Sequence, residues 1–143
     1  TMVDATVVLL NMIILVAVAL SYFFATPEAR TVPPDLVEHW REMVLPYHKL
    51  CLNETHDNPE PIIHMLAEFT LPEEKAIHCY WKCFHEHIKF VVNGKMDVDL
   101  MVKTVYKLTP ELAERCVEQA EREEEPCQRS YILVQCVVMN EVD

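Results

Sequence analysis

Apolar residues recur along this chain at helical rather than strand spacing. The clearest stretch is 76–92, AIHCYWKCFHEHIKFVV. At about 100° per residue, with Cys79 as zero, Ile77, Trp81, Phe84, Ile88 and Val92 fall between roughly 140° and 220°. Cys79 and Cys83 share the opposite face, one turn apart. Lys82, Glu86 and Lys89 mark a third side that can meet water. The pattern predicts a central helix with sulfur anchors on one face and an apolar stripe on the other. That stripe faces either a packed core or a cavity, and function turns on which.

The flanking segments repeat the helical period. Pro33-Pro34-Asp35 opens a helix whose stripe is Leu36, Trp40, Met43, Tyr47 and Leu50, with Pro46 as an expected kink. Asn58-Pro59 starts a second, short helix through Ile62, Ile63, Leu66 and Phe69. Thr70-x-x-Glu73 reads as a capping box ahead of the central helix. Asn93-Gly94 reads as that helix's end, with Gly94 at C′. A short helix is expected over 98–105, and Thr109-Pro110-Glu111 caps a fifth that contains Cys116. The charge run at 121–125 reads as a solvated helix end. From Pro126 to about Met139 the last helix carries Tyr131, Ile132, Leu133, Val137 and Val138. The expectation is an all-α fold of six helices with no strand.

Composition agrees. One glycine against nine prolines in 143 residues, with abundant Leu, Ala, Glu, Lys and Met, suits helices joined by short proline-punctuated turns. The net charge of -11 repels a phosphate backbone and excludes a nucleic-acid partner. Much of the 51% hydrophobic content sits in ATVVLLNMIILVAVALSYFFA at 5–25, broken only by Asn11 and Ser21. We read residues 1–25 as a secretory signal, cleaved between 21 and 29, ahead of a domain over 30–143. Ala19 and Ser21 fit a small-x-small cleavage site. The rival is a membrane anchor, favoured by the length of the run and by Asp4 with no preceding Lys or Arg. No stable membrane insertion is expected once the signal is gone.

Six cysteines follow the leader, an even number that implies a disulfide framework in an exported chain, with fifteen connectivities open to it. Their spacing is C-x27-C-x3-C-x32-C-x10-C-x8-C. With the all-helical reading, LPYHKLC, CLNET, CYWKC, the Asn-Gly turn and the Leu-Thr-Pro-Glu helix start, this spacing resembles the six-cysteine insect odorant-binding and pheromone-binding protein family, over about residues 33–140. The resemblance implies a six-helix, disulfide-braced domain around an internal apolar pocket, with bridges Cys51–Cys83, Cys79–Cys127 and Cys116–Cys136. It also implies a secreted carrier of odorants, pheromones or lipid-like molecules that performs no chemistry and takes no cofactor. A second copy in a homodimer and a chemosensory receptor are the further partners implied.

A carrier of this kind needs a dry cavity, because affinity comes from removing apolar surface from water, about 25 cal/mol per Å². Trp81, Phe84 and Ile88 are the leading wall candidates, followed by Trp40, Met43, Met101, Val105, Ile132, Leu133 and Val137. His85, at roughly 240° on the wheel, lies at the stripe's edge and is placed to meet a ligand hydroxyl or carbonyl. The chain's seven histidines raise the expectation that affinity falls on mild acidification. Histidine and cysteine lie close at His78-Cys79, Cys83-x-His85 and His85-x-His87, but the paired CxxC spacing of zinc motifs is absent, and no metal site is expected. Bridged cysteines cannot act as thiolate nucleophiles. Asn53-Glu54-Thr55 is a glycosylation acceptor pattern. The rival to the carrier is a secreted, disulfide-stapled interaction module with a filled core.

Overall fold

A computed structural model describes residues 2–24, 32–68 and 77–140. Phe69, the Thr70-x-x-Glu73 capping box, the start of the central helix and part of the leader boundary lie outside these residues. The chain divides into two units, 1–30 and 31–143. In the first, α1 (Met2–Phe24) is one apolar helix. Its described side chains run over 4–19, and among the described residues no helix is long and apolar enough to cross a membrane.

Among the described residues the second unit holds six helices: α2 (Pro34–Thr55), α3 (Pro59–Glu68), α4 (His78–His87), α5 (Val98–Thr104), α6 (Pro110–Glu121) and α7 (Pro126–Asn140). Each start has a local cause. Pro34 and Pro110 occupy first-turn positions, where the missing N–H costs nothing. Asp97 Oδ1 accepts from the Leu100 N–H at 2.9 Å, and Thr109 Oγ1 accepts from the Leu112 N–H at 3.2 Å. The Glu125 carboxylate accepts from the Cys127 N–H at 3.1 Å and also from that of Gln128, placing negative charge at the positive end of α7. The α2 helix runs through Pro46 and ends at His56 in left-handed backbone.

Two expectations for the central helix are corrected. It stops at His87, and Lys89 turns the chain with φ 71°. The next residues form a hairpin, β1 (Val91–Val92) antiparallel to β2 (Lys95–Met96), with Val91 opposite Met96. Asn93 (φ 51°) and Gly94 (φ 75°) are the left-handed pair of its two-residue turn, not a helix C-cap. A Cβ on Gly94 would meet nothing within 4 Å, so the glycine serves backbone conformation rather than close packing. Val92 accordingly leaves the apolar stripe and is 50% exposed.

The α4 helix sits between α2 and α7; α6 packs on α7 and α5, and α3 packs on α2. Leu36, Trp40, Val44 and Cys51 are the buried residues of α2, with Met43 and Tyr47 half-buried and Leu50 turned out at 41% exposure. On α3, among the described side chains, Ile62 and Met65 are buried, whereas Ile63 is 55% exposed. Disulfides join Cys51 to Cys83 (S–S 2.05 Å), Cys79 to Cys127 (2.06 Å) and Cys116 to Cys136 (2.06 Å). They link α2, α4, α7 and α6 into one covalent series. No disulfide reaches α3 or α5.

Candidate functional site

The interior between α2, α4, α5 and α7 contains an apolar cavity of about 40 Å³. Trp40, Met43 and Val44 face it from α2, and Trp81, Phe84 and His85 from α4. Phe90 reaches it from the turn after α4, and Met101, Val105 and Leu108 from α5 and its exit. Leu133, Val134, Val137 and Val138 close it from α7. Of the wall candidates read from the sequence, Ile88 and Ile132 are packed half-buried against the core and do not line the cavity. Val44, Phe90, Leu108, Val134 and Val138 line it as well, though none was among the wall candidates.

An aromatic cluster forms the α4 wall. The Phe84 ring lies 5.7 Å from those of Tyr47 and Trp81, 5.5 Å from His85 and 6.2 Å from Phe90, centroid to centroid. The edge-to-face pairs among these put positive ring edges against negative faces. His85 is not at an exposed edge. It is 4% exposed, and its Nδ1 has no hydrogen-bond partner; the same holds for Trp81 Nε1.

Burial pushes the His85 imidazole down to about 3, because the charged ring would lose its hydration with nothing to replace it. No other residue lining the cavity titrates in the acid range. His85 therefore stays neutral between pH 5 and 8, and a fall of affinity on mild acidification would have to come from histidines outside the cavity. The consequence falls on stability instead. The unfolded chain binds this proton near 6.5, the folded chain only near 3. Between those values the unfolded state holds more protons, so stability is complete above about pH 6.5 and is lost as pH falls toward 3. The slope is up to ~1.4 kcal/mol per pH unit. Urea melts from pH 7 to 4 should show it, and His85→Phe should flatten it; an equal slope in the variant would contradict the assignment.

The remaining described histidines lie away from the cavity. His48 Nδ1 and the Tyr80 hydroxyl share a hydrogen bond at 2.8 Å, and His39 stacks on Tyr106 at 3.8 Å. His87 Nε2 pairs with Glu54 at 3.1 Å. Glu54, Cys83 and His87 converge as a metal site would, but the Cys83 sulfur is bound to Cys51, which leaves a hydrogen bond from α4 to α2. Lys107 Nζ meets Asp35 Oδ2 at 2.8 Å and holds the exit of α5 to the start of α2. Asn53 is exposed on the last turn of α2.

The PBP/GOBP family model matches residues 34–140. General odorant-binding protein 84a of Drosophila melanogaster is 33% identical over 70 residues, which is 47% of this chain and 40% of the length of that relative. No solved structure matches the chain at a significant level. The family match spans all six helices of the second unit and every one of the six bridged cysteines, and the chain belongs to the PBP/GOBP family.

Proposed function

We propose that this protein is an extracellular, non-enzymatic carrier that encloses a small hydrophobic ligand between α2, α4, α5 and α7. The observation that carries this reading is the cavity itself, lined by apolar side chains apart from His85 and inside a covalently braced shell. Membership of a family that includes an odorant-binding protein supports it. Residues 1–25 act as the export signal, cleaved between 21 and 29, which fits disulfides that persist only in oxidising surroundings. N-terminal sequencing of secreted protein tests that directly. Delivery to a chemosensory receptor, and pairing of two copies, belong to the same proposal.

A volume of about 40 Å³ is too small for such a ligand: a cavity of ~150 Å³ is what holds benzene. The site opens on binding. Three walls are cross-linked, whereas α5 with Met101, Val105 and Leu108 is not, so that wall yields first. Met43 and Met101 repack more readily than branched side chains. The same small volume favours a second reading, an interaction module with a filled core. A fluorescent apolar probe separates the two. Saturable binding at one site, displaced by small apolar competitors, supports the carrier; no binding at micromolar concentrations supports the module.

A further inference from the structure

The cavity is lined mostly by apolar side chains, yet two of the α4 residues that line it, Trp81 and His85, each carry a polar ring atom. The indole Nε1 of Trp81 and the Nδ1 of His85 are sealed from solvent and unpartnered. The two residues stand one turn apart on one helix face, with ring centroids 6.1 Å apart and planes inclined by 33°. Both line the same space. A buried polar atom without a partner is costly in any fold, and two beside one cavity call for a shared cause. A ligand group that satisfies them supplies it.

We infer that the ligand is a neutral hydrophobic molecule with one hydroxyl headgroup, held by Trp81 Nε1 and His85 Nδ1 as the cavity opens. This deepens the carrier reading and rests on it. The indole N–H can only donate, whereas Nδ1 of a neutral imidazole donates in one tautomer and accepts in the other. A hydroxyl has two acceptor lone pairs and one donor, so it satisfies the indole and either tautomer. A carbonyl or ether oxygen only accepts and serves one tautomer alone. A carboxylate would enter a lining with no lysine or arginine, in a chain of net charge -11. An ammonium would find no carboxylate on any wall. Charged headgroups lose their hydration here and gain no counter-charge.

The test is displacement of the fluorescent apolar probe at neutral pH by four competitors of one chain length: n-octanol, fluorooctane, octanoate and octylamine. Octanol is expected to compete about tenfold or more better than fluorooctane, which matches it in size but lacks the hydroxyl donor. Octanoate and octylamine should compete less well than octanol. His85→Phe and Trp81→Phe should each shrink the octanol advantage toward unity while the probe still binds. In the unaltered protein, the indole N–H proton of Trp81 should shift on adding octanol and stay in place with fluorooctane, a readout that needs no variant. Equal competition by octanol and fluorooctane, or an undiminished advantage in both variants, would overturn the inference with the carrier reading intact. Absence of probe binding to the unaltered protein would overturn both.

Discussion

Complete reduction of the three disulfides is expected to leave the second unit unfolded or nearly so at room temperature. The bridges close segments of 32, 48 and 20 residues. On the loop-closure estimate each restricts the unfolded chain by about 3–4 kcal/mol. A domain of this size has only ~5–15 kcal/mol in all. The loss should be largest for Cys79–Cys127, which closes the longest segment and joins α4 to α7, and smallest for Cys116–Cys136. Urea melts followed by circular dichroism, with and without a phosphine reductant, give the difference. A midpoint unmoved by full reduction would mean that packing alone holds the shell.

Phe84→Ala is expected to move stability and binding in opposite directions. Phe84 is buried at the centre of the aromatic cluster, and deletion of such a ring costs about 3–5 kcal/mol. The space left behind joins the existing 40 Å³. Much of the work of opening the site is then already done, so the apolar probe should bind more tightly to the variant, provided it remains folded with its bridges intact. Loss of stability with unchanged affinity would make Phe84 a plain core residue and place the ligand elsewhere.

Much of the architecture is legible in the sequence, because the helix starts are written locally. Pro34, Thr109-Pro110 and Pro126 each mark one through the fixed φ and missing N–H of proline. Asn93-Gly94 is different. A helix C′ and a two-residue hairpin turn both require left-handed backbone, so the dipeptide fits either. What decides is Lys89 at φ 71°, four residues earlier, and Phe90 folding back into the interior.

That turn also explains His85. On a helical wheel it stands beside the apolar stripe, and nothing local says that it is covered. Cover comes from Phe90, whose ring lies 6.1 Å away, and from the packing of α7 on α4. Val44 could have been read from its i,i+4 relation to Trp40, and Val134 and Val138 from theirs to each other. Leu108 and Phe90 carry no such signal, since each lies outside regular structure and reaches the cavity through the tertiary fold. Ile88 is the C-cap of α4, still in helical backbone with its N–H on the Phe84 carbonyl, and it packs half-buried against the core rather than on the cavity.

Whether a guest enters the interior at all can be read from methionine methyl groups, which report on the cavity and on control positions in one NMR spectrum. Met43 and Met101 line the cavity, Met65 is buried on α3 away from it, and Met139 is exposed. With saturating n-octanol, nuclear Overhauser contacts from the alkyl chain are expected at the Met43 and Met101 methyls and at neither of the other two. A ligand that binds but contacts only Met139, or that leaves the Met43 and Met101 methyls untouched, would contradict an internal site between α2, α4, α5 and α7.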